Sequence, residues 1–314
     1  MRIELLLILV ILSLSCKREQ QASYEPFFEQ AFSIIKNESI KKNETDWEKV
    51  KETIKDSITH FNSNDAVYDA IGYLLTLIDD GHSSFADPYT PNKLTIDTFS
   101  VPTIESRIIN EDIAYIKLPG FTANDSLSRQ YALSIRKSLL ELDNTAPLSG
   151  WIIDLTKDRG GKMSNESLAL APLFENSLIG ISCNNQNAFR NIRCEDGYFY
   201  FGEFKMDSLI YESQLKNKGK KIAVLVSEKT SSAGEFLALA FDFQEKSRIF
   251  GSETKGLTSH CRLFGFKSNA KLLLAVEKYC DKNKAIIQKG IIPDVECPEE
   301  ESLPQAIAWI KSTP

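Results

Sequence analysis

The stretch VLVSEKTSSAGEFLALAF, residues 224–241, carries a β-branched apolar strand into two serines, two small residues and a glutamate, and then into an apolar helical stripe. Ser232 followed three residues later by Glu235 makes a capping box, which satisfies orphan helix N–H groups without any chemistry. The same order also sets a hydroxyl on a sharp strand-to-helix turn. There it can act as a nucleophile if a base and N–H donors stand nearby. Only what surrounds the stretch separates the two readings.

Strand and helix patterns alternate on both sides of it. Upstream, IAYIKLPGF reads as a strand, NDSLSRQYALSIRKSLLEL as a helix and SGWIIDLTKD as a buried strand. SNESLALAPLF then reads as a helix and KKIAVLVS as a strand. Downstream, SRIFGSET reads as a strand, HCRLFGFKSNAKLLLAVEKY as a hairpin and PQAIAWIKS as a closing helix started by its proline. The class is α/β. From Tyr24 to about Ser84 the pattern is helical instead: YEPFFEQAFSIIKN, then DWEKVKETIKDSITHF from an N-cap at Asp46, then NDAVYDAIGYLLTLIDD. A Pro-bearing link, DPYTPNKLTIDTFSVPTI, follows. The expected organisation is a targeting segment over 1–16, a helical domain over 24–92 and a core domain over 93–314.

The 314 residues are 42% hydrophobic and 25% charged, enough apolar material for a full core. The formal charge of −6 and the scatter of lysines among acids leave no stripe for a polyanion, so nucleic acid is not an expected partner. The opening MRIELLLILVILSLSCKREQ holds an apolar run of about ten residues, too short for a ~20-residue membrane span and suited to a signal segment. The run ends at Leu14, Ser15 and Cys16 and turns polar at once. It resembles a bacterial lipoprotein signal, which implies cleavage before Cys16, acylation of that residue and a lipid-anchored place in the cell envelope. Cys183, Cys194, Cys261, Cys280 and Cys297 remain, an odd number, so at least one thiol has no partner within the chain. No CxxC pair suggests zinc, and neither a metal nor a cofactor is expected.

Three places at the ends of elements carry candidate chemistry. In DDGHSSF, His82 follows a glycine after the third helix; the other histidines are His60 and His260. In WIIDLTKDRGGKMSNES a buried strand runs into Gly160 and Gly161, which allow positive φ and close backbone approach, and whose N–H groups can face a developing oxyanion. The third is the opening stretch. Hydroxyl, base and N–H donors are all present in type.

Taken in order, DDGHSSF, IAYIKLPGF, WIIDLTKDRGGKM, IAVLVSEKTSSAGEFLALAF, IFGSETKGLT and KGIIPDVE resemble the C-terminal-processing (tail-specific) serine peptidases and the related tricorn core protease over roughly residues 25–310. The resemblance implies a crotonase/Clp-protease-like ββα core behind an N-terminal helical region, and peptide-bond hydrolysis through an acyl-enzyme. It puts the nucleophile at Ser232 and the oxyanion donors at the amide of Ala233 and at Gly160 and Gly161.

The base follows from a departure. The processing-protease branch carries a lysine just past the glycine of a stretch like GSETKGLT, where this chain has Leu257, which accepts no proton. The tricorn-like branch carries a histidine just after the N-terminal helices, which lands on His82. A neutral imidazole with a pKa near ~6.5 suits general-base work at neutral pH. The link before INEDIAYIKLPGF leaves no room for the ~80 to 100-residue PDZ domain that many processing proteases insert. The acid that the tricorn-like group places before a GVxPD-like stretch is Ile287 here. Asp79, Asp80, Glu235 and Glu253 are the candidates for orienting His82. The family's Arg and Asn at the end of the DLRxN-like strand are Thr156 and Asp158. Two functions stay open: an envelope-anchored serine peptidase acting on peptides or unfolded segments, and a peptide-binding lipoprotein that keeps the scaffold without turnover.

Overall fold

A computed structural model describes residues 26–59, 63–89, 100–145, 147–210 and 215–312. The expected signal segment, Cys16 and His60 lie outside these residues. The chain forms two units, one of residues up to Thr90 with Cys261–Glu277, the other of Pro91–His260 with Lys278–Pro314.

In the second unit a six-stranded sheet runs in the order β13 (Val295–Glu296), β10 (Ser247–Gly251), β9 (Lys221–Val226), β4 (Gly150–Asp154), β3 (Ile113–Lys117), β2 (Glu105–Ile109). All neighbours pair in parallel except β2 with β3. Parallel strands covered on both faces read as near-continuous apolar runs, and GWIID is buried at every position. Side chains alternate between the faces. Trp151, Ile153, Ile222, Val224 and Val226 pack with the helices α4 (Asp125–Thr145), α5 (Met163–Leu170) and α6 (Ala233–Asp242). Ile152, Ala223 and Leu225 pack with Ala306 and Ile310 of α7 (Glu299–Lys311).

Two features differ from the sequence reading. The closing helix starts at Glu299, not at its proline: three glutamates in the first turn favour the helix N-terminus, and Pro304 sits inside at the cost of one backbone bond. Residues 178–208, unread in the sequence, form an antiparallel meander of β5 (Leu178–Asn184), β6 (Phe189–Glu195), β7 (Tyr198–Phe201) and β8 (Phe204–Ser208). Asp196 and Gly197 turn it at φ 51 and 79, the paired positive angles of a type I′ hairpin.

In the first unit, helices at 26–38 (α1), Trp47–Thr59 (α2) and Asn64–Ile78 (α3) share a core with the hairpin β11 (Ser259–Gly265) and β12 (Lys271–Cys280). Asp46 caps α2, accepting the Lys49 N–H at 3.1 Å. Phe28, Ile35, Ile54, Ile71 and Leu74 meet Phe266, Leu272, Leu274 and Val276, while the short β1 (Ser84–Ala86) pairs antiparallel with the start of β12. Among the described residues no helix is long and apolar enough to cross a membrane.

Candidate active site

The carboxyl ends of β4 and β9 lie side by side, with Asp154 opposite Leu225. The loops leaving them are tied to each other. Ser227 Oγ donates to the Thr156 carbonyl at 2.7 Å, Thr230 Oγ1 to the Leu155 carbonyl at 2.8 Å, and the Ser231 N–H to the Asp158 carbonyl at 2.9 Å. In open α/β sheets ligands bind outside the carboxyl ends of strands.

Ser232 ends its turn at φ 55 and ψ −113. A residue with a Cβ holds such a conformation only where its surroundings impose it. Here α6 begins hard against the Asp158 loop, since a Cβ on Gly234 would lie 2.8 Å from the Asp158 carbonyl oxygen. Gly160, at φ 103, closes the other side: a Cβ there would come 3.0 Å from Ser232 Cβ and 3.4 Å from Ser232 Oγ. Ser232, Ala233, Gly160 and Gly161 are thus neighbours. The Gly160 N–H donates to Asp158 Oδ1 at 2.8 Å. The N–H groups of Gly161 and Ala233 donate to no other described residue.

The capping box forms, and its glutamate does more than cap. Glu235 is fully buried. Its carboxylate accepts the N–H groups of Ser232 and Leu257, each at 2.8 Å, the Gly256 N–H at 2.7 Å and the Thr254 hydroxyl at 2.5 Å. Burial raises the carboxyl above its ordinary value, and these bonds offset part of the rise. Glu235→Gln keeps one acceptor oxygen and turns an NH₂ toward donors. We expect it to lower unfolding free energy by about 1–3 kcal/mol, read from denaturant curves; an unchanged midpoint and slope would refute the clamp.

The lysines beside the site have other partners or face solvent. Lys162 bridges Asp125 and Asp207, both at 2.9 Å. Burial alone would lower it, but the two carboxylates outweigh that and raise it, so it stays a cation. Lys255 is exposed.

His82 belongs to the first unit. Its turn follows Asp79, which ends α3 in the left-handed region. Asp80 Oδ1 accepts the His82 N–H at 3.0 Å and the Ser83 N–H at 2.7 Å, and Asp80 Oδ2 accepts the Ser83 hydroxyl. Burial lowers the imidazole pKa and the Asp80 charge opposes it, with a net fall. Among the acids considered for orienting His82, Asp80 braces the turn's backbone, Asp79 ends a helix and Glu253 accepts the Gly290 N–H at 3.3 Å. Glu277 was not singled out in the sequence. It is buried on β12, two residues from Ala275, whose N–H donates to Ser83 Oγ at 2.9 Å. His260 lies in the second unit, stacked on Phe201 with ring centroids 4.3 Å apart. Ile287 lends its N–H to the Tyr279 carbonyl. Among the described residues no disulfide is formed.

The sequence model of peptidase family S41 matches residues 112–297, well over half of the chain and all of the elements that build the Ser232 turn. The chain belongs to peptidase family S41. Among curated relatives, the nisin-resistance protein of Lactococcus lactis subsp. lactis is 28% identical over 198 residues, 63% of this chain and 59% of that protein. The carboxyl-terminal-processing protease of a Picosynechococcus species is 26% identical over 213 residues, 66% and 45% of the two chains. The chain therefore spans about half the length of the curated relatives it matches. Two solved structures share the fold of this chain. A lipoprotein from Streptococcus agalactiae superposes with TM-score 0.77 at 20% identity, covering 92% of this chain and 96% of that one. The photosystem II D1 C-terminal processing protease gives 0.61 at 15% identity, covering 88% and 94%.

Proposed function

We propose that this S41 chain is a serine peptidase that cleaves peptides or unfolded protein segments through an acyl-enzyme on Ser232. The observation that carries this reading is Ser232 itself, held in a disfavoured backbone conformation at a strand-to-helix turn with Gly160 packed against its hydroxyl. Ser232 Oγ attacks the scissile carbonyl while His82 takes its proton. The tetrahedral oxyanion is received by the amides of Ala233 and Gly161, while the Gly160 amide is held inward by Asp158. His82 returns the proton to the departing amine as the C–N bond breaks, then activates water to release the acyl group. A neutral imidazole is needed, and the lowered pKa of His82 keeps it neutral at physiological pH.

A second reading, a peptide-binding protein without turnover, is favoured by the inward hydrogen bond of the Gly160 amide, which is occupied by Asp158. A fluorophosphonate probe followed by peptide mapping decides between them. An adduct on Ser232 supports the peptidase, and a protein that remains unlabelled overturns it.

We further propose that Cys16 is lipidated and anchors the protein in a bacterial envelope. Acyl chains contribute ~0.8 kcal/mol per buried CH₂. Cys16→Ala is expected to move the protein from the detergent phase to the aqueous phase in a partition assay; unchanged partition would exclude the anchor.

A further inference from the structure

Beneath the glycine pair the fold buries ionisable groups that the proposed reaction does not use. Asp158 on the loop after β4, Glu166 on α5 and Tyr131 on α4 are 0%, 1% and 1% exposed. By hydrogen-bond geometry Asp158 Oδ2, both Glu166 oxygens and the Tyr131 hydroxyl have no partner. Glycines press on the carboxyls: a Cβ on Gly120 would meet Asp158 Oδ1 at 2.5 Å, and one on Gly161 would collide with Glu166 Oε1. The groups facing these carboxyls are each other and Tyr131, and among the described residues no lysine or arginine offsets them.

Two carboxylates cannot both stay ionised in such a site. Burial raises both well above the usual carboxyl range. The Asp158 charge adds to the rise at Glu166, and the nearby Phe121 backbone offsets only part of it. The pair titrates as a unit.

We propose that Asp158 and Glu166 share one proton and act as positioning residues for the oxyanion loop: Asp158 Oδ1 holds the Gly160 N–H inward, so that Gly161 and Ala233 present theirs to the reacting carbonyl. The proposal rests on the peptidase reading of Ser232. The shared proton joins Asp158 Oδ2 to one Glu166 oxygen, while Oδ1 keeps its bond to Gly160. Gly160 and Gly161 are free to rotate, and the grip of Asp158 selects one peptide orientation. Loss of the last proton leaves two buried negative charges and drives the loop apart. The sign follows from linkage: carboxyls whose folded pKa values are raised contribute stability that is complete at low pH and lost as pH climbs past those values.

The test uses Asp158→Ala, Asp158→Asn and Glu166→Gln, with kcat and KM on an unfolded peptide followed across pH. Infrared titration of the same changes in a Ser232→Ala background registers neutral carboxyl groups without turnover. Asp158→Ala is expected to lose on the order of 10²-fold in kcat with KM little changed. Asp158→Asn keeps the acceptor without needing a proton, so it should recover most of kcat and move the alkaline fall in activity upward. The Ser232→Ala protein should show a neutral carboxyl band near neutral pH whose titration shifts when Asp158→Asn or Glu166→Gln is added and which is lost when both are added. Asn as poor as Ala, an alkaline limb unmoved by Asp158→Asn, or the lack of that band would each overturn the proposal. If Asp158→Ala fails to fold, the comparison of Asp158→Asn with the parent carries the test. A parent without turnover sinks the peptidase reading instead, and the infrared band alone then decides the shared proton.

Discussion

Ser232→Ala is expected to lower kcat on an unfolded peptide by roughly 10⁴- to 10⁶-fold, because removing a nucleophile from a serine hydrolase leaves only what binding and the oxyanion donors supply. The fold should survive. Alanine keeps the Cβ that sits beside Gly160, and the Ser232 N–H still reaches Glu235. Loss of the capping hydroxyl costs on the order of 1 kcal/mol, too little to unfold a domain with a core of this size. Ser231→Ala is the control, since the contact that holds Ser231 to the Asp158 loop is made by its main-chain N–H. Steady-state kinetics and unfolding curves on both variants separate chemistry from stability. If Ser231→Ala abolishes turnover while Ser232→Ala retains it, the nucleophile is one residue away from where we place it.

His82→Ala should remove on the order of 10²- to 10⁴-fold of kcat/KM, the usual scale for a lost general base. The pH profile is the sharper readout. A base must be neutral to accept the Ser232 proton, so kcat/KM falls as pH drops through the His82 pKa. Burial depresses that pKa, with Asp80 opposing, so the acid limb should lie below the ordinary histidine value of ~6.5. Lys162→Ala and Lys255→Ala should leave the limb where it is. Near-parental activity in His82→Ala, or a limb erased by a lysine substitution alone, would transfer the role to His260 or another group.

The parallel core was legible because strands covered on both faces leave continuous apolar runs, as in Trp151–Ile153 and Ile222–Val226, and because glycines and serines mark the turns at their ends. The meander escaped notice because β6 and β8 are half-exposed and carry polar residues without clean alternation. Its Asp196–Gly197 turn was the available signal. The strand-to-helix turn at Ser232 could be read from residue types and order, since a β-branched run gives way to serines, small residues and a capping glutamate. Asp158 and Glu166 could not. Helix α5 is buried from Ser164 to Leu170, so no polar face distinguishes Glu166 by periodicity. The bond from the Gly160 N–H to Asp158 leaves no mark in the residue pattern. Glu235 was read as a cap, and its bonds to residues 254–257 depend on a contact some twenty residues away in sequence.

The hairpin that completes the helical unit reaches it from far along the chain, and this imposes an order of events on biogenesis. Helices α1 to α3 emerge first, with Phe28, Ile54 and Leu74 needing Phe266, Leu272 and Val276 to cover them. Residues 91–260 have to be synthesised in between. At ~5–20 residues per second the wait is on the order of ten to thirty seconds. During that interval the N-terminal helices lack the strands that share their core in the folded chain. A fragment ending before residue 261 never receives its missing strands.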